Sequence, residues 1–186
     1  MARLLGISGS LRKGSYNTAL LRAARERVPD DTTLELAALH DIPLYDGDVE
    51  AASGLPAAVK TLKEQVVASD GVLLATPEYN NGVPGVLKNA IDWLSRPPDD
   101  IARVFHRRPF ALLGASPGGF GTILAQNAWL PVLRTLRVDF WSEGRLMVSR
   151  AGKAFDADGR LQDEATLDQL AKFLAGFAAH CERTGR

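Results

Sequence analysis

The sequence predicts a doubly wound α/β domain, in which helices cover both faces of a parallel sheet. Apolar runs of strand length alternate along the chain with longer segments whose apolar residues recur at helical spacing. Two of the runs, residues 71–76 and 110–115, are apolar at successive positions, as in strands that are buried on both faces. We expect residues 1–186 to form one three-layer domain around a five-stranded sheet of order 2-1-3-4-5.

Five βα units account for the order of the elements. The predicted strands are residues 3–8, 33–39, 71–76, 109–115 and about 139–148. The predicted helices are residues 17–28, 56–69, 84–95, 121–136 and 163–182. The apolar face of the last helix is formed by Leu167, Leu170, Ala171, Leu174, Phe177 and Ala178. Asp163 is placed to cap this helix, and Pro84 suits the first position of the helix that it opens.

Charge and hydropathy exclude several classes of partner. Lys and Arg number 22 and Asp and Glu number 22, so the net charge is zero and neither nucleic acid nor an anionic membrane is expected as a partner. No apolar run approaches the roughly 20 residues that a membrane-spanning helix needs, and the N-terminus carries no secretory signal pattern. The one cysteine, Cys181, has no partner for an internal disulfide, which predicts a cytoplasmic protein with a non-functional thiol.

The loop after the first strand has the composition of a phosphate site. Its hydroxyl and amide groups come from Ser8, Ser10, Ser15, Asn17 and Thr18. Gly9 and Gly14 permit a tight turn, Arg12 adds charged donors, and the helix that follows presents its N-terminal amides to an anion. This set suits a phosphate monoester held without a metal ion, and the three scattered histidines lack the spacing of metal ligands.

Other phosphate motifs fit this loop poorly. Gly9 and Gly14 have the spacing of an ATP-binding P-loop, but Ser15 and Tyr16 occupy the positions of its Lys and Ser/Thr. The register of a dinucleotide fingerprint is also absent. An ordinary βα turn with a Ser or Asn cap would explain Asn17, but not the other donors and the glycines.

The loops after the third and fourth strands suit a flat heteroaromatic ring. Residues 77–80, Pro-Glu-Tyr-Asn, offer successive backbone donors, an aromatic face and a side-chain amide. Residues 116–119 bring glycines that let the backbone approach a ligand. The alternatives are that Tyr79 packs on Trp93, that Glu78 faces solvent, and that the later loop is only a flexible turn. In the predicted sheet the first and third strands flank the point where strand order reverses, so these loops meet there.

Two stretches resemble the signatures of the NADPH-dependent FMN reductase family. Residues 9–17 resemble its phosphate loop. Residues 76–80, with residues 83–95 that follow, look like its second signature, and residues 42–46 share in the likeness. The likeness extends to about residue 150, and within the family the chain resembles bacterial chromate and quinone reductases and azoreductase-like enzymes.

The resemblance implies a flavodoxin-like fold, tightly but non-covalently bound FMN, and NADPH or NADH as electron donor. It also implies a ping-pong cycle in which the nucleotide reduces flavin N5 before a small-molecule acceptor takes the electrons. Quinones, chromate, azo or nitro compounds and free flavin are the implied acceptors, the assembly is a homodimer or homotetramer, and no side chain is expected to be catalytic. The residues implied to bind the cofactor are Ser10, Arg12, Ser15, Tyr16, Asn17, Thr18, Pro77, Glu78, Tyr79, Asn80, Ser116, Gly118 and Gly119.

Two positions depart from the family pattern. Leu124 replaces a charge that relatives use at subunit contacts or near the nicotinamide phosphate, and Asn81-Gly82 predicts a smaller, more mobile rim. We therefore expect a roomier acceptor site that Trp129 or Phe120 of a neighbouring subunit closes. Arg12, Lys13 and Arg103 are candidates for a phosphate-binding rim.

Two other functions are compatible with a flavin-binding fold. A flavodoxin-type electron carrier is usually acidic because it docks on basic partners, and the zero net charge of this chain opposes that function. A flavin-binding regulatory protein without turnover is not excluded by the sequence.

Overall fold

Parallel strands form the centre of the molecule, and the computed structural model describes residues 1–184. The strands are β1 (Ala2–Ser8), β2 (Thr32–Ala37), β3 (Gly71–Ala75), β4 (Pro109–Ala115), β5 (Asp139–Phe140) and β6 (Leu146–Val148). Their order is β2-β1-β3-β4-β5, and β6 also pairs with β4. Every pairing between these strands is parallel. The predicted doubly wound sheet and its strand order are confirmed.

Helices cover both faces of this sheet. They are α1 (Tyr16–Arg25), α2 (Gly47–Ser53), α3 (Ala57–Ala68), α4 (Gly85–Leu94), α5 (Ile101–Phe105), α6 (Ile123–Thr135), α7 (Ala151–Ala154) and α8 (Glu164–Arg183). Helices α1 and α8 share one core cluster with the sheet, whereas α3, α4, α5 and α6 share the other. The sequence did not predict α2, α5 and α7, because four to seven residues are too few to display a helical period.

Successive residues of the central strands enter opposite cores. In β3, Leu73 packs in the α1/α8 cluster, and its neighbours Val72 and Leu74 pack in the other cluster. All three side chains are 0% exposed. This double burial explains why the strand is apolar at every position.

The sequence predicts one continuous strand at about 139–148, and this prediction is wrong. The chain forms two short strands there, β5 and β6. Strand β5 pairs with the beginning of β4, and β6 pairs with its end. Between them Trp141 turns into the α1/α8 core and packs on Phe173 with ring centroids 5.1 Å apart. A Cβ at Gly144 would lie 2.3 Å from the Trp141 ring, so the chain bends closely around the indole. The large aromatic side chain displaces the strand from the sheet.

Side-chain caps fix the helices that border the loops. Ser15 accepts a hydrogen bond from the Thr18 amide at α1. Asp163 accepts one from the Thr166 amide at α8, as the sequence predicts. In residues 1–184 no helix combines the length and apolar character that a bilayer crossing requires. The same residues contain no cluster of His, Cys, Asp and Glu side chains arranged to hold a metal ion.

We predict that Cys181 does not react in the folded protein. The thiol is buried on α8, and burial together with the nearby carboxylates Asp70 and Asp139 raises its pKa to about 12. Thiolate is the reactive form, so a disulfide thiol reagent at about pH 8 should label the native protein negligibly and the guanidinium-unfolded protein fully. Rapid labelling of the native protein would contradict this expectation.

Candidate cofactor site

Three loops meet at the carboxyl edge of the sheet. Loop 1 (residues 9–15) follows β1, loop 2 (residues 76–84) follows β3, and loop 3 (residues 116–122) follows β4. Backbone hydrogen bonds continue from the sheet into them: the Gly9 amide donates to Ala75 O at 2.9 Å, and the Thr76 amide donates to Leu113 O at 2.9 Å. All thirteen predicted cofactor residues lie on these loops or on the first turn of α1.

Loops 1 and 2 touch at a glycine. A Cβ at Gly9 would lie 2.7 Å from Pro77 Cδ and 3.0 Å from Pro84 Cγ, which is closer than side-chain atoms pack. Glycine therefore permits the contact between the two loops. Pro84 itself is the N-cap residue of α4, one position before the helix begins.

The start of α1 presents donors for an anion. Ser15 caps the helix, and the amides of Tyr16 and Asn17 belong to its first turn, where an α-helix provides no internal acceptor. Thr18 Oγ1 lies 2.8 Å from Ser8 Oγ, so a hydrogen bond between the two hydroxyls fixes both side chains beside this turn. Amides and hydroxyls at a helix N-terminus are suited to a phosphate group.

Asn17 has a different task from the one expected of its side chain. Its Nδ2 donates to Ala115 O at 2.9 Å, and its Oδ1 accepts from the Ala115 amide at 2.9 Å. The residue is buried, at 3% exposure. The side chain thus braces the beginning of loop 3 against loop 1, and the backbone amide is the group of Asn17 that suits the phosphate.

Aromatic and cationic side chains surround loop 1. The Arg12 guanidinium lies 5.7 Å from the centroid of the Tyr16 ring. The Tyr79 hydroxyl of loop 2 donates to Ser10 Oγ at 3.4 Å, and Tyr79 is 50% exposed. The ring that packs on Trp93 is Tyr45, with centroids 4.9 Å apart, and not Tyr79. Tyr79 therefore borders the site.

Loop 2 ends in a tight turn. Tyr79 and Gly82 exchange backbone hydrogen bonds of 3.3 and 3.0 Å. Asn80 and Asn81 between them have φ of 52° and 61°, in the left-handed region that Asn tolerates better than most residues. The sequence predicts a small and mobile rim at Asn81-Gly82. In the structure both residues belong to this hairpin turn, which the two hydrogen bonds between Tyr79 and Gly82 close.

Glu78 connects loop 2 to α6, and the sequence did not reveal this contact. Its Oε2 accepts from the amides of Leu124 and Ala125 at 2.9 and 3.0 Å. Thr122, at the N-cap position, makes no capping bond with its own side chain, so the carboxylate of Glu78 replaces it. A carboxylate at the positive end of a helix is also electrostatically favourable. The interpretation of Glu78 as a solvent-facing side chain is wrong.

The expectation that Trp129 closes a neighbouring subunit's site is wrong. Its side chain is 0% exposed in the core of its own chain, and its Nε1 donates to Thr76 Oγ1 at 3.1 Å. Helix α6 therefore holds loop 2 at two points, through Trp129 at the base and through its own amides at Glu78. Phe120, the other candidate, is 82% exposed on loop 3.

Loop 3 is folded back on itself and on the segment after β6. Ser116 Oγ accepts from the Gly118 amide at 3.2 Å. The Arg150 amide donates to Gly118 O at 2.9 Å, and the Ala151 amide donates to Ser116 O at 3.0 Å. Backbone groups near Gly118 and Gly119 are exposed, as a ring-binding loop requires.

The second signature also holds the segment at residues 42–46. On α4, Asn89 Nδ2 and Trp93 Nε1 donate to Pro43 O at 2.8 and 2.9 Å. The Tyr45 amide donates to Asn89 Oδ1 at 2.8 Å. Arg103, by contrast, pairs with Glu64 and Asp100, so it belongs to an ion-pair network and not to a phosphate rim beside loop 1.

The donors present fit FMN. Hydroxyls and helix amides of loop 1 and α1 match a phosphate monoester, and the backbone and aromatic groups of loops 2 and 3 match a flat ring. The site lies where strand order reverses, as ligand sites do in open parallel sheets. Fold and site define a flavodoxin-like cofactor-binding domain.

The chain belongs to the NADPH-dependent FMN reductase family, which residues 2–153 match. It is 51% identical to an NAD(P)H-dependent FMN reductase of Pseudomonas aeruginosa, over 92% of this chain and 91% of that protein. It is 37% identical to a quinone reductase of Escherichia coli K12, over 97% and 96% of the two chains. The structure of a flavoenzyme NAD(P)H:(acceptor) oxidoreductase from Paracoccus denitrificans matches with a TM-score of 0.88 and 33% identity over 100% of both chains. These matches confirm an oxidoreductase of the class that uses FMN and NAD(P)H.

We predict that Glu78 stabilises the ring-binding loop. Glu78→Ala removes the acceptor of two helix amides and should raise the FMN dissociation constant by about tenfold. Glu78→Gln retains an oxygen acceptor and should raise it by less than about threefold. Glu26→Ala, which removes an exposed carboxylate beyond the end of α1, is the matched control. Fluorescence titration of apoprotein with FMN measures all three, and an Ala variant equal to wild type would contradict the capping role.

Proposed function

We propose that this chain, acting as one FMN-binding domain over residues 1–186, transfers electrons from NAD(P)H to quinones and other small electrophiles. One observation carries the proposal: the start of α1, which suits a phosphate, meets loops 2 and 3 at one edge of the sheet. Side-chain hydrogen bonds from Asn17 and Glu78 hold these loops in place. Quinone reductases of similar sequence support the acceptor class.

The residues of the chain bind and orient the cofactor. Ser10, Ser15 and the first amides of α1 would hold its phosphate, with Arg12 adding positive charge. Pro77 to Asn80 and Ser116 to Gly119 would border its ring. When bound, FMN supplies the redox chemistry at N5, so the site needs no side-chain nucleophile. The proposal includes a ping-pong order, in which NAD(P)H and the acceptor take turns at the ring.

An apolar surface beside loop 3 supports flat organic acceptors. Phe120, Ile123, Leu124 and Leu130 are all at least 39% exposed. The last three line a cavity of about 450 Å³. Gln126, Asn127, Ser142 and Arg145 also line this cavity. The proposal includes chromate, azo and nitro compounds and free flavin as further acceptors.

The same surface supports assembly into a homodimer or homotetramer. Exposed apolar side chains in one patch are typical of interfaces between subunits. In that assembly Phe120 would extend from loop 3 toward the flavin site of a neighbouring subunit. A cytoplasmic location remains part of the proposal, on the basis of the single buried cysteine.

The test begins with the visible spectrum of protein purified without added cofactor. We expect a yellow protein that NADPH or NADH bleaches under nitrogen within its turnover time and that benzoquinone recolours. A yellow protein that resists both nucleotides would favour the electron carrier or the regulatory protein. A colourless protein that ignores added FMN would overturn the proposed function.

A further inference from the structure

A polar pocket lies between the end of β6, α7 and the start of α8, beside the segment that hydrogen-bonds to loop 3. It has a volume of about 300 Å³, and two of its lining residues are the exposed cations Arg150 and Lys153. Ser149, Thr166 and Gln169 add hydrogen-bonding side chains to its wall. The pocket thus combines positive charge with donors for oxygen atoms.

Backbone contacts place this pocket on the rim of the cofactor site. The amides of Arg150 and Ala151 donate to loop 3, at Gly118 O and Ser116 O. On its other side, α7 approaches the side chain of the first residue of α1: a Cβ at Gly152 would lie 3.4 Å from the Tyr16 hydroxyl. Arg150 and Lys153 therefore lie between loop 3 and the first turn of α1.

The positive charge of the pocket is not neutralised within the described chain. No ion pair joins Arg150 or Lys153 to a carboxylate in residues 1–184. Asp163 lines the pocket, but its Oδ2 accepts from the amide and the hydroxyl of Thr166 at 2.9 and 2.6 Å. Two exposed cations beside a capping carboxylate leave a net attraction for a phosphate group.

We infer that Arg150 and Lys153 form a subsite for the 2′-phosphate of NADPH and set a preference for NADPH over NADH. The inference rests on the proposed function. In NADPH two riboses and a diphosphate separate the nicotinamide from the 2′-phosphate, so the phosphate must be bound on the rim and not beside the ring. Loop 1 already provides for the phosphate of FMN, which leaves this pocket for a second phosphate.

The experiment compares Arg150→Ala/Lys153→Ala with wild type, both loaded with FMN. We expect wild type to prefer NADPH. In the variant the ratio of kcat/KM for NADPH to kcat/KM for NADH should fall by about tenfold or more. The kcat/KM for NADH itself should change by less than about twofold. Arg22→Ala/Lys172→Ala removes the same two charges from exposed positions of α1 and α8, and should leave the ratio unchanged.

A binding measurement separates this inference from turnover. Calorimetric titration with 2′,5′-ADP and with 5′-AMP, which lacks the 2′-phosphate, should show that wild type favours the former and that the variant does not. An unchanged ratio, an equal loss toward NADPH and NADH, or a loss of FMN affinity alone would overturn the assignment. The second result would place the cations on the shared diphosphate, and the third would place them on the FMN phosphate. Absence of turnover with either nucleotide would refute the proposed function, whereas the titration would still decide the subsite.

Discussion

The buried amide of Asn17 is the contact on which the geometry of the site depends. It joins the first turn of α1 to the end of β4 through two hydrogen bonds with the backbone of Ala115. A buried backbone amide and carbonyl left without partners would cost about 1–3 kcal/mol each. The side chain therefore stabilises the fold and at the same time sets the distance between the loop that suits a phosphate and a loop that suits a ring.

Helix α6 fixes the position of loop 2 in a comparable way. Its Trp129 fixes Thr76 at the base of the loop, and its first amides fix Glu78 further along. A ring-binding loop must expose its backbone to the ligand, so it cannot be stabilised by burial of that backbone. Contacts from the side, made by a helix that is itself anchored in the core, keep such a loop in position without covering it.

Burial on both faces of β3 and β4 made the sheet predictable from the sequence, since the resulting apolar runs identify central parallel strands. The loops were recognisable because glycines, hydroxyl residues and the Pro-Glu-Tyr-Asn segment directly follow strands. The residues that brace the site were not recognisable in this way. Asn17 and Glu78 were identified as cofactor residues, although their side chains contact backbone groups about one hundred and about fifty positions away along the chain.

The sequence by itself determined the fold class, the strand order, the family and the loops of the site. Those properties follow from local patterns, because alternation, helical period and turn residues act over a few positions. The tertiary structure decided that Trp129 is a core residue, that the fifth strand is divided around Trp141, and that Arg150 and Lys153 lie beside loop 3. Each of these depends on which distant segments pack together, and packing is set by the shape and charge of surfaces that only the folded chain brings into contact.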